Sequence, residues 1–205
     1  MVKEIHIYIE GDPQLRQGFR TFFQPIYEAA KQNNIKIATL KLCGSRGDTY
    51  KAFRIALKKH PNAFIILLVD SEGAIDKQQK PWEYLKNRVE DGWDCLGTDD
   101  THCYLMVQTM EAWFIADIDA LRDYYGKGFQ ESAIPKNPKV EDIEKNTLES
   151  ALKAATRNTL KKEYHKTRHT SPILERLNVE KVRKAAPNCD RFFTTLTRIM
   201  KAGAE

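Results

Sequence analysis

Hydrophobic positions along the chain follow two periods. Residues 4–10, Glu-Ile-His-Ile-Tyr-Ile-Glu, put Ile5, Ile7 and Ile9 on one face, the alternation of a strand, and Gly11-Asp12-Pro13 ends it. From Pro13 to Asn33 the positions Leu15, Phe19, Phe22, Phe23, Ile26, Tyr27 and Ala30 recur at helical spacing, with Asp12 as the expected N-cap and Pro13 opening the helix. Residues 35–42 alternate as a second strand, Gly44-Ser45-Arg46-Gly47 reads as a turn, and Asp48 is expected to cap a helix running to Lys59. Ala63 to Val69 is an unbroken apolar run, as a strand buried on both faces of a parallel sheet requires. A helix over Pro81–Val89, a strand over Thr101–Val107 and a helix over Met110–Tyr125 follow.

This order predicts an α/β fold, with an open parallel sheet of about four strands. Gly126-Lys127-Gly128 breaks the pattern, and short helical patterns over roughly 139–145, 147–155, 171–176, 178–186 and 188–201 come after it. The expected division is an α/β core over residues 1–125 and a basic helical C-terminal extension over 126–205, packed on that core.

Composition narrows the class. With 41% apolar and 30% charged residues in 205, the chain can build a packed core. Its longest apolar run stops at Asp70, too short to cross a bilayer, and Met1-Val2-Lys3-Glu4 leads into a strand with no signal-peptide pattern. A soluble, cytoplasmic protein with no membrane contact is expected. Cys43, Cys95, Cys103 and Cys189 form no C-x-x-C pair, so buried reduced thiols are expected in place of a zinc site or disulfides. Charge is asymmetric: residues 1–125 hold 16 Lys and Arg against 18 Asp and Glu, while residues 126–205 hold 17 against 10. An acidic site facing a polyanion held by a basic half fits that asymmetry, and so does a solvated helical surface.

Open α/β sheets bind ligands at the carboxyl ends of their strands. The first strand ends at Glu10, the third at Asp70, and Glu72 follows two residues later. If these strands are neighbours, in a 2-1-3-4 order, their ends lie about 5 Å apart and three carboxylates converge. Such a group needs a counter-charge, and an all-oxygen donor set points to Mg²⁺ or Mn²⁺. Phosphoryl transfer or phosphodiester cleavage is the chemistry such a site serves. Taken singly, each acid reads as a strand-end or loop carboxylate, with Asp70 as a cap; all three on the ends of the two most apolar strands read as a site.

The residues also carry a family resemblance. Ile7-Tyr8-Ile9-Glu10-Gly11 with Leu67-Leu68-Val69-Asp70-Ser71-Glu72 resembles a Toprim catalytic core, which has Glu-Gly after the first strand and Asp-x-Asp after the third. That resemblance implies Glu10 as general acid/base and Asp70 and Glu72 as Mg²⁺ ligands, with Glu72 standing where the pattern has Asp. A longer likeness covers most of the chain. It runs through Leu67–Glu72, Pro81-Trp82, Asp91-Gly92-Trp93, Leu105–Asp117, Leu152–Thr156 and Glu163-Tyr164-His165-Lys166. On these the chain is identified as a member of the bacterial family called domain of unknown function 4276. The resemblance implies a Toprim-like fold, a nuclease-like role and a place beside AAA-type ATPases in defence loci.

Further candidates are weighed at the same edge. Glu111 follows the fourth strand and is a fourth metal carboxylate or a first-turn Glu favoured by the helix dipole. Asp117 lies further round its helix and need not share that face, and Trp113 and Phe114 read as core. Arg46, in the glycine turn, is a candidate phosphate fork, although the turn lacks a Walker Lys-Ser/Thr. Residues 161–169 are the basic peak, in which Lys161, Lys162 and Arg168 are candidate nucleic-acid contacts. His165 and Lys166 are candidate phosphate or transition-state contacts, on the family's Tyr-His-Lys match. Three functions compete: a Mg²⁺-dependent nuclease with an ATPase partner, a non-catalytic metal-binding module that docks an ATPase or polyanion, and a receiver-like phosphoacceptor using Asp70. The last lacks an adjacent acidic pair at the first strand and a fifth strand.

Overall fold

A computed structural model describes residues 2–202. The first crossover runs from β1 (Glu4–Ile9) through α1 (Arg16–Phe22) and α2 (Gln24–Gln32) to β2 (Lys36–Leu42). Then come α3 (Arg46–Lys59), β3 (Phe64–Asp70), α4 (Pro81–Asn87) and β4 (Cys103–Met106). The helices α5 (Glu111–Ile115), α6 (Ile118–Tyr125), α7 (Lys145–Thr156), α8 (Lys166–Leu174), α9 (Val179–Ala185) and α10 (Pro187–Ala202) complete the described chain. The four strands form one parallel sheet in the order β2-β1-β3-β4, as the sequence predicts.

The alternation within strands builds three layers. Ile5, Ile7, Ile9, Ile66, Leu68, Tyr104 and Met106 face the larger core. Tyr8, Ile65, Leu67, Val69 and Leu105 face the smaller one, closed by Phe53 and Ala56 of α3 and Trp82 and Leu85 of α4. Residues beyond 125 are integral to the larger core. Phe192 of α10 packs its ring 5.0 Å from both Phe23 and Tyr104, and Phe193 lies 5.7 Å from Phe22. Phe22 in turn stacks on Trp113 at 5.1 Å, which confirms Trp113 and Phe114 as core residues.

Several helices differ from their predicted extents. The predicted helix from Pro13 to Asn33 is a 3₁₀ turn, α1 and α2, divided at Phe23. Pro25 explains the division, because proline fits only the first turn of a helix. Helix α3 starts earlier than predicted, capped by Ser45 and not by Asp48. The Ser45 hydroxyl accepts from the Asp48 N–H at 3.2 Å and donates to the Asp48 carboxylate at 2.6 Å. The predicted helix 110–125 breaks at Asp117, whose carboxylate accepts from the Asn178 N–H and from Lys181 Nζ, both at 2.8 Å. Residues 139–144 hold a 3₁₀ turn at Val140–Asp142, and α7 begins at Lys145. Helix α8 starts at Lys166, five residues before its apolar pattern, and tolerates Pro172 near its end.

One contact sets where α8 sits. Gly18 of α1 donates its N–H to Ser171 Oγ at 3.0 Å, and a Cβ there would meet the Ser171 carbonyl at 2.8 Å and Leu174 Cβ at 2.9 Å. A Gly18→Ala change gains about 1 kcal/mol of helix propensity. It costs about 1–3 kcal/mol in overpacking, and the obstructing atoms are largely backbone. The expected outcome is net destabilisation of up to about 2 kcal/mol, read by chemical denaturation. An unchanged or raised midpoint would show that α1 and α8 separate freely.

Candidate active site

Neighbouring β1 and β3 bring their acidic ends together. Glu10 directly follows β1, and its N–H donates to the Leu68 carbonyl at 3.0 Å. Asp70 closes β3, and its own N–H donates to Glu10 Oε2 at 3.2 Å. Glu72 is held in the left-handed region, at φ +66, where its N–H donates to the Gln108 carbonyl at 2.8 Å. One oxygen from each of Glu10, Asp70 and Glu72 lies within 4.8 Å of the other two. A cavity of about 220 Å³ opens beside them, lined by Glu10, Asp70, Met110, Lys166 and Thr167 among others. Larger hollows near Ile75–Lys80 hold no such convergence.

Three cationic side chains reach this group. Arg46, at the start of α3, forms a two-pronged pair with Asp91 at 2.7 and 2.6 Å. Its Nη1 donates to Glu10 Oε2 at 3.3 Å and to the Asp70 carbonyl, and the guanidinium lies 5.0 Å over the Trp93 ring. The fork expected to bind phosphate is thus engaged by the protein itself, and Arg46 positions Glu10 and the end of β3. Lys145, at the start of α7, pairs with Glu72 through Nζ and donates its N–H to Gln108 Oε1 at 3.1 Å. Lys166, opening α8, lies 3.7 Å from both Asp70 Oδ2 and Glu111 Oε1.

Burial and like charge set the protonation of these groups. Asp70 is 4% exposed, and burial pushes its carboxyl well above the ordinary value; Lys166 opposes this, while Glu111, Glu10 and Glu72 reinforce it. Glu10 is raised by burial, with Arg46 pulling it back. At Lys166 burial acts to lower the pKa, but Glu111, Asp70, Glu72 and Glu10 outweigh it and keep the ammonium charged. Two carboxylates about 5 Å apart repel by about 3 kcal/mol at an effective dielectric of about 20. The donor set is all oxygen, which suits a hard divalent cation and would suit zinc or copper poorly.

The remaining predicted residues divide by location. Glu111 is 4% exposed and joins the cluster's edge through Lys166; its Oε1 accepts from the Tyr164 hydroxyl at 3.0 Å, and its Oε2 has no partner among the described residues. Tyr164 also meets Thr170 Oγ1 at 3.1 Å, and burial raises its phenol well above the ordinary value, so it remains a donor. His165 is the exposed residue preceding α8, and its N–H donates to Nδ1 of the buried His169 at 3.1 Å. Lys161, Lys162 and Arg168 are exposed and do not line the acidic cavity, and Lys161 Nζ sits 5.0 Å over the Tyr124 ring. Asp117 serves α9 and has no part in the cluster. Sequence reasoning missed Lys145 and the Asp91 anchor of Arg46. Lys145 lies 73 residues from Glu72, and Asp91 lies 45 from Arg46, so no local spacing announces either pair.

An open parallel sheet with acids gathered at its carboxyl edge defines the architectural class. The chain belongs to the family described as Domain of unknown function (DUF4276), which it matches over residues 13–197. That span takes in Asp70, Glu72, Glu111, Lys145 and Lys166, and starts just after Glu10. No curated protein and no solved structure matches the chain. No helix among the described residues is long and apolar enough to cross a membrane.

The raised carboxyl of Asp70 fixes a sign for stability. The folded state binds more protons than the unfolded state, from the ordinary carboxylate value upward to the raised one, so stability falls as pH climbs through that window. Asp70→Asn keeps an oxygen for the Met110 N–H, which Asp70 Oδ1 accepts at 3.0 Å, and removes the buried charge. In metal-free buffer above neutral pH the variant should melt higher than the wild type, and the difference should shrink as pH falls toward about 4. Identical melting curves at every pH would show that Asp70 carries no burial penalty.

Proposed function

We propose that the protein is a Mg²⁺- or Mn²⁺-dependent, Toprim-like phosphodiesterase that cleaves nucleic acid and works beside an AAA-type ATPase in a defence system. The observation that carries the reading is the convergence of Glu10, Asp70 and Glu72 beside the ammonium of Lys166. Glu10, Asp70, Glu72 and Glu111 would hold the cation, which when bound neutralises charge on the phosphate. Glu10 would transfer the proton to or from the reacting oxygens, and only its Oε2 is engaged by Arg46 and the Asp70 N–H. Lys166, 3.7 Å from Asp70, would meet the charge that develops on the phosphate, with His165 adjacent to it. The exposed Lys161, Lys162 and Arg168 extend positive charge over the same C-terminal half and support a polyanionic substrate. The ATPase partner and the defence setting rest on the family resemblance alone.

A second reading draws on a different observation. Glu10, Glu72 and Asp70 each already face a cationic side chain, Arg46, Lys145 and Lys166 respectively. A cluster neutralised from within suits a module that binds metal and docks a partner without turnover.

Cleavage of labelled DNA and RNA with Mg²⁺ or Mn²⁺ separates the two. Glu10→Gln should fold normally and lose about 10²- to 10⁴-fold in turnover, the range of a positioned acid or base. Asp70→Asn should lose activity that excess Mn²⁺ partly restores, and His165→Ala should lose less than either. Wild-type turnover by Glu10→Gln would remove it from proton transfer. No cleavage by the wild type, with or without the ATPase, would favour the docking module.

Nucleic-acid binding gives an independent check on the basic half. Replacing Lys161, Lys162, Lys166 and Arg168 with Ala should flatten the log–log salt dependence of binding by about 0.7 to 0.9 for each phosphate no longer neutralised. Binding that ignores salt in the wild type would count against a nucleic-acid substrate.

A further inference from the structure

We propose that Lys145 is a phosphate-binding residue that the cation releases: in the metal-free protein its ammonium occupies Glu72, and metal binding to Glu72 frees it for the substrate. The inference rests on the phosphodiesterase reading and adds to it a residue that reading leaves idle.

Four observations carry it. First, the pair is at the site: Lys145 Nζ meets Glu72 Oε2, and Glu72 also offers an oxygen within 4.8 Å of oxygens from Asp70 and Glu10. A divalent cation and this ammonium therefore compete for one carboxylate. Second, the backbone at both ends is fixed while the ammonium is not. The Glu72 N–H donates to the Gln108 carbonyl at 2.8 Å, and the Lys145 N–H donates to the Gln108 side chain at 3.1 Å. A single residue thus anchors both partners, and the Lys145 side chain is 40% exposed on a flexible stem. Third, Lys145 is the first residue of the twelve-residue α7, and the preceding Glu144 makes no side-chain cap. The positive end of that helix favours an anion near Lys145 once the ammonium has left Glu72. Fourth, of the three cations described at the site Lys145 is the one paired with Glu72: Arg46 is tied to Asp91, Glu10 and the Asp70 carbonyl, and Lys166 lies 3.7 Å from Asp70 and from Glu111.

The exchange makes cation and phosphate bind cooperatively. A metal ion at Glu72 displaces a cation that then meets a phosphate oxygen, so each ligand raises the affinity for the other. Without metal the ammonium is held by Glu72, and the protein gains little from Lys145 in binding nucleic acid.

The experiment compares Lys145→Ala and Lys145→Gln with the wild type. Both variants keep the backbone N–H on Gln108, and thermal melting checks that each is folded. Calorimetric titration with Mn²⁺ alone should show about three- to tenfold tighter binding in both variants, because a competing positive charge is gone. Duplex DNA binding is then measured against salt, with Ca²⁺ as the cation to keep turnover slow, and again with EDTA. In Ca²⁺ the wild type should show a log–log slope steeper than the variants by about 0.9, the equivalent of one neutralised phosphate, and in EDTA the slopes should coincide. Equal Mn²⁺ affinity in wild type and variants, or a slope difference that persists in EDTA, overturns the exchange and leaves the carboxylate site standing. Failure of the wild type to bind Mn²⁺ at all overturns the cation site and the exchange together.

Discussion

Carboxylates crowded at the ends of adjacent parallel strands repel one another, and the surrounding structure is arranged around that repulsion. Glu10 and Asp70 are neighbours because β1 and β3 are neighbours, and Glu72 joins them because its backbone turns back in the left-handed region. Each acid is then met from a different direction: Arg46 from α3, Lys145 from α7, Lys166 from α8. Arg46 is itself oriented by Asp91 and flattened against Trp93, which stacks on Tyr50 at 4.3 Å. Electrostatics at the edge and packing in the smaller core are therefore one problem. The guanidinium that steadies Glu10 is held by the aromatic pair that closes the layer beneath it.

The same logic gives the C-terminal helices two tasks. They fill the larger core, where Phe192, Phe193, Leu196 and Met200 are buried beside Phe22 and Phe23. They also deliver Lys166, whose position follows from the close approach of α8 to α1 at Gly18. Tyr164 links the tasks, since its ring lies in the core while its hydroxyl holds Glu111.

The strands and their order were legible because alternation and an unbroken apolar run are local signals, and the acids were legible because they terminate those strands. Helix boundaries were less so. Pro25 and Asp117 interrupt runs whose apolar spacing continues across them, and the start of α8 at Lys166 has no apolar residue to mark it. The partners of the acids were the least legible. Arg46 could be suspected at the right edge, but that its fork closes on Asp91 depends on a loop 45 residues away. Lys145 lies in a stretch whose charge pattern is ordinary, and only the fold places it on Glu72.

Chain order also has a consequence for biosynthesis. The acids lie at positions 10 to 111, whereas Lys145, Lys166 and the aromatic residues of α10 come afterwards. A growing chain thus exposes its carboxylates before it has made the lysines that face them or the helix that closes the larger core. The site is completed only when the later helices dock, so a nascent or truncated chain carries the acids without the lysines that face them.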